Sequence, residues 1–330
     1  MSKDNKHTEE NNALMANGHK ASPKEKDSFI SFIYNKREGT FLGRNGKSWV
    51  QIIVFYIIYY IFLGAFWLGC LAIFLSTIDK NLPRYYGKGT IIGANPGVGY
   101  QPWLKNNPES TLIKFNINDN TTYADYVGVL ENYTMKYENE TTTKLTKLCS
   151  GSESNSDIVK DGKLKEEGLK PCRFKLDVFK ASGCSLENDF GFPDGKPCVI
   201  LSLNRLIDWK PEDFADDVIP KEIAKRYKKG SIGFNCDGTY GPDKEYIGKI
   251  EYIPEAGIDG RFYPYAKMDN YHQPIAMVKF HNLPRNRVVL VECRAYAGNI
   301  EQDIETRQGL VHFELLVEDY EVSTPKTNGS

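Results

Sequence analysis

Between Lys47 and Asp79 lie 31 consecutive residues without a charged side chain, and Ile52, Ile53, Val54, Phe55, Ile57, Ile58, Ile61, Phe62 and Leu63 crowd the first half of the run. A bilayer core about 30 Å thick needs roughly 20 helical residues at about 1.5 Å each, so this segment is long enough to cross a membrane once. It separates a short polar N-terminal part from 252 residues that must fold elsewhere. A secretory signal is the wrong reading: its apolar region is about 7 to 15 residues long and falls within roughly the first 30. Ser2 in place of Gly, and the lack of a prenylation box, give no expectation of a lipid anchor.

The net charge of -1 conceals a split, because residues 1–48 hold nine Lys or Arg against six Asp or Glu. Neither side concentrates a basic face of the kind that nucleic acid requires. Residues 1–28 are rich in Lys, Glu, Asn, Ser and His, with Leu14 and Met15 almost alone as apolar residues, and read as a disordered tail. Residues 29–48 form a collar in which Phe29, Phe32, Ile33, Tyr34, Phe41 and Leu42 mix with Lys36, Arg37, Arg44 and Lys47. Rings and cations at the edge of a span suit the headgroup layer and its anionic lipid. The Gly46-Lys47-Ser48 end of the collar is not a phosphate-binding loop, since Phe41 stands where that loop requires Gly.

Topology follows from what lies beyond the span. Asn120-Thr-Thr, Asn132-Tyr-Thr and Asn139-Glu-Thr fit the N-glycosylation pattern, as does Asn328-Gly-Ser, and six of the seven cysteines are there too. The seventh, Cys70, is inside the span. Four Lys or Arg close to the span on its N-terminal side, against Lys80, Arg84 and Lys88 on the other, add a weak positive-inside preference. The expectation is a type II membrane protein, with its N-terminus in the cytoplasm and its C-terminus on the other side.

Within the span (residues 49–78), Tyr56, Tyr60 and Gly64 recur every four residues, with Trp67 and Leu71 near the same stripe. Tyr56 is seven residues from Trp49, deeper than an interfacial aromatic belt reaches. A phenol at that depth favours a protein acceptor, and glycine on the same stripe admits a close helix. This face is expected to dock another helix.

Residues 79–110 hold Pro83, Pro96, Pro102 and Pro108 among five glycines, and read as an extended stalk. Asn116–Thr143 is polar and expected at the surface, and Gly151–Gly168 looks like a loop between cysteines. Strand signals mark Cys172–Phe179, Pro197–Leu203, Tyr246–Ile253, Ile275–Phe280, Arg287–Cys293 and Leu310–Val317, so residues 111–330 are expected to form a mostly antiparallel β-sandwich. Pro211–Tyr227 carries Glu212, Asp213, Asp216 and Asp217 early and Lys221, Lys225, Arg226 and Lys228 late or just beyond, a helix-like charge order that Pro220 interrupts.

Cys149, Cys172, Cys184, Cys198, Cys236 and Cys293 suggest three disulfides, for which fifteen pairings exist. Sequential pairing, one of them, closes separations of 23, 14 and 57 residues. No Cys-x-x-Cys is present, which argues against zinc or thioredoxin-like chemistry.

These residues closely resemble the β-subunit family of the sodium/potassium pump, with the proton/potassium pump β subunits as near relatives and the insect-type members most similar in character. The resemblance rests on Tyr34-Asn35, Phe41-Leu42-Gly43-Arg44, Phe55-Tyr56-Ile57-Ile58-Tyr59-Tyr60, Gly195-Lys196-Pro197-Cys198, Leu203-Asn204-Arg205, and Phe262-Tyr263-Pro264-Tyr265-Ala266-Lys267. The last resembles the family's Tyr-Tyr-Pro-Tyr-Tyr-Gly-Lys motif, from which Arg261, Phe262 and Ala266 depart, and Asn45 stands where the family usually has Thr. The resemblance implies the plasma membrane, an immunoglobulin-like ectodomain, sequentially paired disulfides and a non-catalytic subunit without cofactor or metal. It also implies an obligate partner, the pump's α subunit, contacted by Tyr56, Tyr60, Gly64 and Trp67 in the membrane and by Tyr263, Pro264, Tyr265 and Lys267 outside. A small single-span regulatory subunit is a possible further partner. The implied role is to stabilise new α chains, support their export and tune potassium handling.

Two other classes share the layout. A type II Golgi transferase would need metal chemistry, but the lumenal part has no Asp-x-Asp, and His272, His281 and His312 lack ligand spacing. A calcium loop at Asp213, Asp216 and Asp217 lacks the repeated oxygen-ligand pattern. A sugar-bearing adhesion ectodomain acting apart from the pump is the alternative reading.

Overall fold

The computed structural model describes residues 33–35, 39–80, 82–215, 218–268 and 271–321. The expected disordered tail, together with Phe29, Phe32, Lys36, Arg37, Asp216, Asp217 and Asn328, lies outside the described residues. The chain divides into two units, Met1–Ile78 and Asp79–Ser330.

In the first unit, strands β1 (Tyr34–Asn35), β2 (Thr40–Phe41) and β3 (Arg44–Asn45) pair antiparallel in that order. They lead into helix α1 (Gly46–Ser76). The described part of the collar is thus folded rather than merely amphipathic: the Trp49 indole donates to the Phe41 carbonyl at 2.8 Å, and the two rings lie 5.9 Å apart. α1 starts three residues ahead of the expected span. At its end, the hydroxyls of Ser76 and Thr77 donate to Ile73 O and Phe74 O, each at 2.7 Å, satisfying carbonyls that have no intrahelical partner. No residue of α1 is buried, as suits a helix whose solvent is lipid or another helix.

The second unit is a two-sheet sandwich. One sheet has the order β10 (Ile250–Ile253), β12 (Ile275–Phe280), β8 (Cys198–Leu203), β4 (Val98–Gln101). The other has the order β11 (Ile258–Asp259), β9 (Ser231–Gly238), β13 (Val288–Tyr296), β14 (Leu310–Glu318), β5 (Leu112–Asn116). All neighbours are antiparallel except β5 and β14. The faces meet through Phe313 of β14, whose ring stacks on Tyr100 of β4 at 5.0 Å and meets Phe280 of β12 at 6.2 Å. Along β13, Val289, Val291, Cys293 and Ala295 alternate into the core, the period-two signature of a strand buried on one face. β8 and β12 are instead buried on both faces, because helix α2 (Ala124–Glu138) and the segment from Cys172 to Pro197 cover their outer side. Short helices α3 (Glu140–Leu145), α4 (Asp177–Ala181) and α5 (Gly241–Tyr246) and the hairpin β6 (Val159–Lys160) to β7 (Lys163–Leu164) complete the unit.

The three disulfides are Cys149–Cys172, Cys184–Cys198 and Cys236–Cys293. The third joins β9 to β13 at directly opposed positions with the Cα atoms 4.0 Å apart. Among the described residues Cys70 is the one free cysteine.

Several expected elements differ. Cys172–Phe179 is not a strand: Cys172 makes one isolated bridge to Lys147, no second strand lies alongside, and the chain turns into α4 with Phe174, Leu176 and Phe179 buried. Tyr246 closes α5 instead of opening a strand, and β10 begins at Ile250. The described residues of Pro211–Tyr227 form turns and irregular chain, with no helix among them. The Asp213 carboxylate accepts from the Tyr227 hydroxyl at 2.7 Å and from Gly230 N at 2.5 Å, closing the loop rather than answering a helix dipole. Asn116–Thr143, expected at the surface, contains α2, which buries Tyr126, Val127, Leu130 and Tyr137 along one face. The stalk stops short of residue 110, since β4 is a full member of a sheet, and Gly151–Gly168 buries Ile158 and Val159. Strands β5 and β9 were not expected.

The turn that leads into β8 depends on Gly191, whose φ is +78° and where an added Cβ would lie 2.2 Å from the Lys196 carbonyl oxygen. Gly191→Ala is therefore expected to cost roughly 1–3 kcal/mol, visible as a melting temperature lowered by several degrees.

Candidate functional site

Two surfaces carry the expected docking residues, and each is described within its own unit. On α1, the four-residue spacing puts Ile52, Tyr56, Tyr60 and Gly64 on one ridge and Ile53, Ile57 and Ile61 on the next, with a shallow groove between them. The Tyr56 and Tyr60 rings stack with centroids 6.1 Å apart. Among the described residues their hydroxyls make no hydrogen bond, and Gly64 leaves open space where a Cβ would sit. Trp67 is exposed close to the same face. Such a face offers a neighbouring helix two donors, an apolar groove and a close approach. The ridge through Ile53, Ile57 and Ile61 was not singled out from the sequence, although the same spacing reveals it.

In the ectodomain the Tyr263-Pro264-Tyr265 segment is largely an internal element. Tyr263 is 2% exposed and Pro264 is buried in this conformation. Tyr263 packs edge-on against Trp209 with centroids 5.4 Å apart. The buried Asn155 amide holds the segment by donating to Phe262 O at 2.8 Å while its carbonyl accepts from Cys172 N at 2.8 Å, so the Cys149–Cys172 bridge and the motif are one assembly. What remains accessible is half-buried Tyr265 and exposed Lys267, whose ammonium donates to Lys80 O at 3.1 Å. The Arg205 guanidinium, to which the Leu203-Asn204-Arg205 run assigns no role by itself, lies 5.6 Å from the ring centroids of both Tyr265 and Tyr271 and fixes their positions.

The sequon asparagines Asn120, Asn132 and Asn139 are exposed. Asn120 lies in a 3-10 turn, Asn139 caps α3 by accepting from Thr142 N at 2.7 Å, and Asn132 is in the middle of α2.

A polar concavity of about 580 Å³ lies on the outer face of the five-stranded sheet. Its central groups neutralise one another. Glu292 accepts from Arg294 Nε at 2.5 Å and sits 2.6 Å from His312 Nε2. Burial alone raises the Glu292 pKa, but the hydrogen bonds from Arg294 and His312 outweigh it and hold the carboxyl below its ordinary value of 4.5. No nucleophile and base are paired there, as acyl or phosphoryl chemistry would require. The other histidines are likewise engaged singly, His272 with Thr142 Oγ1 at 2.9 Å and His281 with Glu251 at 2.7 Å. Burial first, then Arg205 and Lys136, keep His272 below the usual imidazole range. Among the described residues no group of three His, Cys, Asp or Glu is placed to hold a metal.

A group with a depressed carboxylate pKa stabilises the fold above its unfolded value and loses that contribution as pH falls through its folded one. Acidification below about pH 4.5 should therefore weaken the β13–β14 region, and Glu292→Gln should flatten that dependence in hydrogen-exchange measurements.

A single helix long and apolar enough to cross a membrane, followed by a β-sandwich with three disulfides, defines the layout of a single-span membrane protein with one folded domain. The sequence model of the sodium/potassium ATPase beta chain matches residues 19–313, and the chain belongs to that family. It is 56% identical over 306 residues to a probable sodium/potassium-transporting ATPase subunit beta-3 of Caenorhabditis briggsae, covering 93% of this chain and 90% of the relative. It is 32% identical to a beta-1 subunit of Drosophila melanogaster, covering 90% and 94%. A human beta-2 subunit is 27% identical, covering 88% and 94%. β chains of this family are non-catalytic, with catalysis residing in the α subunit.

Proposed function

We propose that this chain assembles with a sodium/potassium ATPase α subunit as its obligate partner, in the plasma membrane, with the N-terminus cytoplasmic and the sandwich outside. The observation that carries this reading is the α1 face: two adjacent ridges, two tyrosine hydroxyls without acceptors among the described residues, and no burial anywhere along the helix. Tyr56, Tyr60, Gly64 and Trp67 form the intramembrane contact, while Tyr265 and Lys267 mark the extracellular one. Asn120, Asn132 and Asn139 carry sugars, which supports the outward orientation.

Binding native α in preference to its unfolded form stabilises it by mass action and supports its export. A different contact free energy with two α conformations shifts potassium activation. A small single-span regulatory subunit joins the same complex.

Affinity purification of the full chain from mild detergent extracts tests the central claim. A large polytopic P-type ATPase is expected to co-purify in near-equal amount. Recovery of the chain without any such partner would overturn the reading.

A further inference from the structure

A groove of about 910 Å³ runs between the loop after β4 and the exposed face of α2. One wall presents Trp103, a large ring that is 43% exposed although it sits on a folded segment, together with Asn106. The other wall is the helix itself, where Asp125, Gly128 and Asn132 recur at i, i+3 and i+7 and so share one face. Asn132 is the acceptor of a sequon, and its side chain lines this groove. Its volume is within the roughly 300–1,000 Å³ of small-ligand sites.

We propose that the groove is the seat of the sugar attached to Asn132, whose first N-acetylhexosamine residues stack on Trp103. The inference rests on the glycosylation reading of Asn132 and goes beyond it by fixing where the sugar lies. Three observations converge. Trp103 offers a flat apolar ring for the C–H face of a pyranose, and Asn106 and Asp125 offer acceptors and a donor for its hydroxyls. The Asn132 amide donates to Gly128 O at 2.8 Å, and a substituted amide nitrogen keeps one hydrogen, so attachment leaves that bond available. Gly128 is the third observation. A glycine inside a helix costs about 1 kcal/mol relative to alanine, yet a Cβ at 128 would meet nothing within 4 Å, so packing of the bare chain does not require it. A sugar lying along the helix next to Asn132 would require it.

The test uses the full chain co-expressed with its pump partner. Site-specific mass spectrometry reads occupancy, and an endoglycosidase acting within the chitobiose core under native conditions reads accessibility at each site. The sugar on Asn132 should be released about tenfold more slowly than those on Asn120 and Asn139, the factor that about 1.4 kcal/mol of stacking protection confers. Trp103→Ala should abolish the difference without changing occupancy, and Gly128→Leu, which fills the groove floor by a different route, should do the same. An occupied Asn132 released as fast as the other two, or a protection indifferent to both substitutions, overturns the stacking. An unoccupied Asn132 overturns the glycosylation reading at that site and the inference with it.

Discussion

Replacing Tyr56 and Tyr60 together by leucine should leave membrane insertion intact and reduce the amount of α subunit recovered with the chain. Leucine is at least as favourable as tyrosine in hydrocarbon, so the helix still spans. Lost are two hydroxyl donors and a stacked ring pair whose centroids lie 6.1 Å apart. Interhelical hydrogen bonds in membranes average about 0.6 kcal/mol and reach about 1.7, so the pair is worth roughly 1–3 kcal/mol, or about 5- to 150-fold in association. The readout is the ratio of α to β after detergent extraction, with potassium activation of the surviving pumps as a second measure. An unchanged ratio with unchanged activation would remove this face from the interface. Phenylalanine at both positions separates the contributions, since it keeps the rings and removes only the hydroxyls.

The second large effect concerns Cys236 and Cys293. Their bridge links opposed positions on β9 and β13, both in the interior of the five-stranded sheet, and closes 57 residues. In the chain-entropy account a loop of that length contributes about 4 kcal/mol, more than the bridges closing 23 or 14 residues. Cys236→Ala with Cys293→Ala should therefore destabilise the ectodomain most, giving a chain retained inside the cell with its sugars unprocessed. Removing Cys184 and Cys198 instead should be milder, by roughly 1 kcal/mol on the same scale. Equal surface delivery of the two double variants would show that the sheet ladder, not the covalent closure, dominates. Native protein in which Cys149, Cys172, Cys184, Cys198, Cys236 and Cys293 titrate as free thiols would refute the bridges altogether.

What the residues disclosed in advance divides along physical lines. α1 was legible because absence of charge over 31 residues has few structural meanings, and β8, β12, β13 and β14 because β-branched runs lie between clear turn residues. α2 was overlooked although Tyr126, Leu130, Tyr133 and Tyr137 stand at helical spacing, because the sequons around them drew attention to polarity. β5 is only five residues long and pairs across the fold with β14, a long-range fact that no local pattern carries. The charge order of Pro211–Tyr227 imitated a helix, but Asp213 serves a loop closure that depends on Gly230. At the candidate site, the tyrosine stripe followed from periodicity alone. The interior position of Tyr263 and Pro264 did not, since an aromatic motif reads alike whether it anchors a core or meets a partner.

The parallel pairing of β5 with β14 bears on the order of events during biosynthesis. Partners such as Leu112 and Glu314 are about 200 residues apart, and β14 separates β13 from β5 in the finished sheet. At about 5–20 residues per second, synthesis leaves β5 waiting roughly 10–40 s for its neighbour. Throughout that interval the edge of β5 is an open template for wrong pairing, and a chain that ends before Leu310 lacks the strand that joins β13 to β5. The last strand described is therefore the one whose arrival closes the five-stranded sheet.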